Sequence, residues 1–230
     1  MAPTEYCTLS IVPLKQVTDL WNKNDVLIFI ADLKDYSAPD EEYLREVEKI
    51  HLKSLKTEYF RKRYIISRLL LKYLSGFLKD RPWHDMVMCK DEHGRVHVRD
   101  HNDLHVCIAY TENIVALAIS KIEMGIDIEV IRSRSVASIS RSIDRTLSDS
   151  TPSIDGSDFL ARWTLKEAYC KFSNETMFSS LASKLDLSGV YHSSYVLDSK
   201  YLLAFVTKCY PYKVKIMRLQ RIALDKEFHY

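Results

Sequence analysis

This sequence of 230 residues carries no excess of either charge. Its 33 Lys and Arg against 31 Asp and Glu leave a formal net charge of +2, so the electrostatic footprint of a protein whose main partner is nucleic acid is missing. Paired cysteines are missing too. Cys7, Cys89, Cys107, Cys170 and Cys209 are odd in number and scattered, with no C-x-x-C spacing, which indicates neither a disulfide framework nor a zinc site. No apolar run approaches the roughly 20 residues that span a bilayer, and the N-terminus has no charged region leading into an apolar stretch. A cytoplasmic protein is expected. The residues show no internal repeat. His84, His97, His101, His192 and His229 have no ligand-like spacing and read as structural or solvated.

What is present is an alternation of helical and strand patterns. Val26–Ile30 is a short continuous apolar run, the signature of a buried strand. Pro39 with Asp40, Glu41 and Glu42 offers a helix start, and Tyr43, Val47 and Ile50 carry helical apolar spacing. A second helix is expected from Tyr59 to Leu74, ended by Ser75-Gly76. Val87–Val98 reads as a hairpin turning at Asp91–Gly94, and Leu104–Ala109 with Ile114–Ile119 as another, turning near Glu112-Asn113. A strand follows at Gly125–Ile131, then a Ser-, Asp- and Arg-rich connection from Arg132 to Ser157. Asp158 is placed to cap a helix over Phe159–Phe172; a hairpin around Asp198-Ser199 and a last strand over Lys213–Leu219 close the chain. Helix plus antiparallel hairpins in each half is an α+β pattern, not a series of βαβ units.

Two short motifs carry the chemistry. In Gly125-Ile126-Asp127-Ile128-Glu129, period-two alternation puts both carboxylates on one strand face and both isoleucines on the other. In Trp163-Thr164-Leu165-Lys166-Glu167-Ala168, followed by Lys171, the residues Trp163, Glu167 and Lys171 fall at i, i+4 and i+8 of a helix. Three convergent carboxylates make a hard-cation site, and a nearby lysine supplies a proton donor or phosphate partner. Each motif alone has a plainer reading: the acidic pair as a solvated outer face, and Glu167–Lys171 as a surface pair contributing about 0.2–0.5 kcal/mol.

Taken together, the two motifs resemble the signatures of the 4′-phosphopantetheinyl transferase superfamily, and chain length places the resemblance with its Sfp-type, two-lobed members. The resemblance implies two similar α+β lobes related by a pseudo-twofold axis. Residues 1–121 would form an N-terminal, coenzyme A-binding lobe and 122–230 a C-terminal lobe with the acids. The boundary would fall near Lys121–Met124 and the site in a cleft between the lobes. It implies transfer of the 4′-phosphopantetheine arm of coenzyme A to a serine of an apo acyl- or peptidyl-carrier protein, releasing adenosine 3′,5′-bisphosphate. Asp127, Glu129 and Glu167 would hold Mg²⁺, with Mn²⁺ as an alternative, Glu167 would accept the serine proton, and Lys171 would face the departing bisphosphate.

Other stretches resemble the family more loosely. Arg63 and Arg68, in the basic run Arg63–Lys72, look like its first-lobe basic helix, and His51 and Lys53 fall where the family holds the 3′-phosphate of coenzyme A. His93-Gly94-Arg95 stands where Gly-Lys-Pro is usual; Gly94 also has a plain role as a turn residue. Ala109-Tyr110-Thr111 overlies the family's Ser-His-Ser, which makes Tyr110 and Thr111 candidates for coenzyme A and replaces a chargeable histidine by a neutral hydroxyl. The implied partners are coenzyme A and a transiently docked carrier protein, with the Arg132–Ser157 segment a candidate to touch it, in a protein expected to be monomeric. Two rivals stay open: a non-catalytic coenzyme A or carrier-protein binding homologue, and a metal-dependent pyrophosphohydrolase.

Overall fold

The computed structural model describes residues 4–37, 41–132, 156–175, 186–211 and 213–221. In chain order its elements are β1 (Thr4–Cys7), β2 (Ile11–Val12), α1 (Val17–Lys23), β3 (Val26–Asp32), α2 (Glu46–Ser54) and α3 (Glu58–Lys79). Then come β4 (Met88–Lys90), β5 (Val96–Val98), β6 (His105–Thr111), β7 (Ile114–Ser120), β8 (Met124–Val130), α4 (Gly156–Ser173), β9 (Tyr191–Leu197), β10 (Tyr201–Thr207) and β11 (Val214–Leu219). The α+β class holds. No described helix is long and apolar enough to cross a membrane, and no disulfide joins the five cysteines.

Contacts divide the chain into two units, each with its own sheet. One comprises Met1–Leu9, Ala109–Glu112 and Glu123–Tyr210; the other Ser10–Ile108, Asn113–Ile122 and Pro211–Tyr230. The units are not contiguous halves of the chain: Ala109–Glu112 and the N-terminal end are grouped with Glu123–Tyr210, and the C-terminal end with Ser10–Ile108. Strand pairing is the reason. At the N-terminal end β1 pairs in parallel with β9, tied down by Asp198 Oδ1, which accepts from Leu9 N at 3.0 Å. At the C-terminal end β11 pairs in parallel with β3 and β2. Neither parallel pairing belongs to the expected hairpin pattern.

The first unit is the four-stranded sheet β1-β9-β10-β8 with α4 packed on β8 and β10. The second holds the sheet order β2-β11-β3-β7-β6. There β3 is buried along almost its whole length, as an apolar run without alternation requires. Three strands in each unit follow the same order, with the β4–β5 hairpin intervening in the second. A strand (β8 or β3) leads to a helical segment (α4, or α2 and α3), then to a hairpin (β9–β10 or β6–β7) whose second strand pairs antiparallel with the first.

Helix α3 differs from expectation by running through Ser75-Gly76 to Lys79. Thr57 Oγ1 caps its start by accepting from Phe60 N at 3.2 Å. Its end comes at Asp80, which takes a left-handed φ of 50° two residues before Pro82. Gly76 serves close packing instead of termination: a Cβ there would lie 2.8 Å from both Arg81 O and Trp83 Cα. Leu69, Leu70, Leu71 and Leu74 of α3 are fully buried, each contributing about 1.5–3 kcal/mol of gross burial energy.

Helix α2 corrects the apolar stripe read from Tyr43, Val47 and Ile50. Val47 and Ile50 are exposed, and the buried stripe is Leu44, Glu48 and Leu52. A charge can sit on that face because Lys72 Nζ donates to Glu48 Oε2 at 2.5 Å, with both side chains buried; the pair decides which side of α2 turns inward. Pro39, Asp40, the side chain of Asp158 and most of the Arg132–Ser157 segment lie outside the described residues. α4 itself already begins at Gly156, before Asp158.

In the first unit β8 and α4 approach closely at Gly125. A Cβ on that residue would sit 2.1 Å from Ala168 O and 2.5 Å from Phe172 N, so β8 and α4 pack together only because the position has no side chain. Gly125→Ala is therefore expected to destabilise the protein by about 3 kcal/mol, the upper end of typical overpacking costs, or to stop it folding. Urea unfolding measures the change, and a loss under about 1 kcal/mol would mean that the helix can move away from the strand.

Candidate metal centre

Asp127 and Glu129 lie two residues apart on β8, while Ile126 and Ile128 on the opposite face are fully buried, as strand alternation requires. Glu167 and Lys171 are one turn apart on α4, on the side that the Gly125 contact presses against β8. The result is convergence: Asp127, Glu129 and Glu167 each offer a carboxylate oxygen, and these atoms all lie within 4.8 Å of one another.

Each acid is held differently. Asp127 is 2% exposed. Its Oδ1 accepts from Lys171 Nζ at 2.6 Å, and its Oδ2 is buried with no hydrogen-bond partner. Glu129 is half-buried; its Oε2 accepts from Thr111 Oγ1 at 3.2 Å, and the Trp163 indole N–H also bonds its side chain. Thr111 is in turn fixed because its Oγ1 accepts from Val130 N at 3.2 Å. Trp163, expected only as an aromatic anchor, thus orients an acid as well as stacking on Phe159.

Burial raises all three carboxyls above their ordinary values. For Asp127 it outweighs the neighbouring Lys171 ammonium, and for Glu129 it is reinforced by the Asp127 charge. Glu167 is pushed from 4.5 to about 8, first by burial and then by Asp127, with Lys171 opposing. While Glu167 holds its proton it shares a hydrogen bond with Asp127; once it ionises, three buried carboxylates side by side are an expensive arrangement unless something cationic completes them. An all-oxygen donor set without thiolate or imidazole suits a hard divalent ion of the Mg²⁺, Mn²⁺ or Ca²⁺ kind. The residues therefore fit a divalent cation.

A second polar cluster lies within the other unit. Lys90 Nζ is 3.4 Å from His51 Nε2, the His51 ring packs 4.9 Å from the Tyr64 ring, and the Arg68 guanidinium lies over Tyr64 at 5.0 Å. Arg68 is 4% exposed, and its buried Nη1 has no hydrogen-bond partner. Burial first, then neighbouring positive charge, pushes both His51 and Lys90 down. A buried guanidinium, an ammonium and an imidazole held together this way suit a phosphate dianion. Lys90 was missed in the sequence, where nothing but its place in a hairpin distinguishes it.

Lys53 is exposed on α2, and two residues of helix turn it to the opposite side from His51. Arg63 lies over the Phe60 ring at 4.9 Å, also near Tyr59. Lys72, at the end of the basic run, is buried and neutralised by Glu48. Gly94, at φ 90°, is the turn residue of the β4–β5 hairpin, and Asp91 Oδ1 accepts from both His93 N and Arg95 N at 3.0 and 2.9 Å. Strand alternation turns Tyr110 to the opposite face of β6 from Thr111, so only Thr111 joins the acid set.

Neither the profiles of known protein families nor any curated protein matches this chain.

The raised carboxyls set a direction for pH dependence. A Glu167 titrating near 8 when folded and near 4.5 when unfolded binds more protons in the folded state between those values. Stability is thus lost as pH rises through that window. In chelator, the melting temperature is expected to fall from pH 5 to pH 8, with a smaller fall in Glu167→Gln. Added Mg²⁺ should raise it more at pH 8 than at pH 5. A metal-free melting temperature that climbs over the same range would show that these acids are not held in a desolvated cluster.

Proposed function

We propose that this protein is a divalent-cation-dependent 4′-phosphopantetheinyl transferase of the Sfp type. On this reading it acts on coenzyme A and a serine of an apo acyl- or peptidyl-carrier protein. The observation that carries the reading is the convergence of Asp127, Glu129 and Glu167 from the two motifs, with Asp127 Oδ2 buried and bare. The repeated strand–helix–hairpin order of the two units is what two similar lobes require, and the Arg68–Lys90–His51 cluster favours a ligand rich in phosphate.

Asp127, Glu129 and Glu167 would hold Mg²⁺, which when bound neutralises pyrophosphate charge and polarises the phosphorus under attack. The roles of the acids follow from exposure. Asp127 is too deeply buried to meet a substrate, whereas half-buried Glu167, once ionised beside a bound cation, can take the serine proton as the new phosphorus–oxygen bond forms and the bond to adenosine 3′,5′-bisphosphate breaks. Thr111 and Trp163 keep Glu129 turned toward the other acids. Arg68, Lys90 and His51 would take the 3′-phosphate.

The deciding experiment mixes the protein with coenzyme A, Mg²⁺ and a panel of apo-carrier proteins and looks by mass spectrometry for the phosphopantetheine adduct on serine. Glu167→Ala should slow it by about 100-fold or more, the lower range for losing a general base, and Asp127→Ala should abolish it by disrupting the cation; full activity in either removes the assignment. Lys90→Ala is expected to weaken coenzyme A about tenfold, equivalent to about 1.4 kcal/mol, while leaving 3′-dephospho-coenzyme A unaffected. Equal losses for both ligands would place the 3′-phosphate elsewhere.

A further inference from the structure

The proposed reaction asks Lys171 to face a departing phosphate, yet its ammonium is engaged with an acid. Lys171 Nζ donates to Asp127 Oδ1 at 2.6 Å. It is the cation held against the three convergent carboxylates, and its charge opposes the rise in the carboxyls of Asp127, Glu129 and Glu167 alike. Of the two partners, only one can move readily. The Asp127 side chain is 4% exposed and fixed on β8, whereas that of Lys171 is 32% exposed on a flexible four-carbon stem.

A divalent ion seated on the acid oxygens, Asp127 Oδ2 among them, would lie only a carboxylate's width from the ammonium on Oδ1. Like charges at that separation in a partly desolvated site repel strongly. The ion also removes the need for the lysine, because it neutralises the same carboxylates. We propose that Lys171 is the resident cation of the acid site, that an incoming divalent ion displaces it from Asp127, and that the released ammonium is then free to meet an anionic ligand. This rests on the acids being a divalent-cation site, and it adds an order to that reading: cation first, anion second. Lys171 thereby acts before any chemistry, by keeping the metal-free acids from repelling one another.

The test uses the full chain with Mn²⁺ or Mg²⁺ alone, without coenzyme A. Free Mn²⁺ is followed by electron paramagnetic resonance for the wild type, Lys171→Met and Lys171→Arg. Removing the charge should tighten Mn²⁺ binding on the order of tenfold, as expected for deleting one charge a few ångströms away; Lys171→Arg should stay near wild type. In the wild type, reductive methylation read by peptide mapping should modify Lys171 several-fold faster with saturating Mg²⁺ than in chelator, measured against other exposed lysines. The same labelling keeps the proposal testable if Lys171→Met does not fold. If Mn²⁺ binds the wild type but Lys171 is labelled at the same rate or more slowly with metal, displacement is overturned and the cation site survives. Unchanged or weaker binding in a folded Lys171→Met overturns the resident-cation role. A wild type that binds no Mn²⁺ removes the site and the inference with it.

Discussion

The acid site depends on one close approach, that of the β8 backbone at Gly125 to the α4 backbone at Ala168 and Phe172. With no side chain between them, the helix settles onto the strand closely enough for Glu167 to join Asp127 and Glu129. Any Cβ at Gly125 would push α4 outward from β8 and part Glu167 from the other two acids. The glycine and the acids are therefore one device: Gly125 sets the distance, and the carboxylates use it.

That closeness has an electrostatic cost which the surrounding residues meet in different ways. Asp127 gains an ammonium on one oxygen and keeps the other bare. Glu129 gains a hydroxyl and an indole donor. Glu167, pushed to about 8 mainly by burial, is placed to hold a proton at neutral pH. A site in which one acid is charge-paired, one hydrogen-bonded and one poised to titrate is suited to exchange a proton or a small cation for a divalent ion. Elsewhere, the buried Glu48–Lys72 pair is tied to backbone as well, since Lys72 Nζ donates to Tyr43 O and Glu48 Oε2 accepts from Arg45 N.

Much of this was legible in the residues. Alternation in Gly125–Glu129 and four-residue spacing through Trp163, Glu167 and Lys171 placed each side chain on its face, because strand and helix periods are local properties of the backbone. The β4–β5, β6–β7 and β9–β10 hairpins were readable from their turns, where Gly94, Glu112, Asp198 and Ser199 adopt positive φ. Less legible were β1, a short and largely exposed terminal strand, and the continuation of α3 past Gly76, against which the backbone just beyond the helix, at Arg81 and Trp83, packs closely despite glycine's poor helix propensity. The inward face of α2 was misread because an ion pair to α3 overrode apolar spacing.

By itself, then, the sequence determined periodicity: which residues share a face of one strand or helix, and that two such faces carry acids. Only the tertiary structure decided which faces meet. It placed β1 beside β9 and β11 beside β3, grouped Lys90 with Arg68 and His51 while leaving Lys53 outside, and set Lys171 against Asp127 instead of open solvent. The physical reason is that pairing and convergence depend on contacts between segments far apart in the chain, and no local period carries that information.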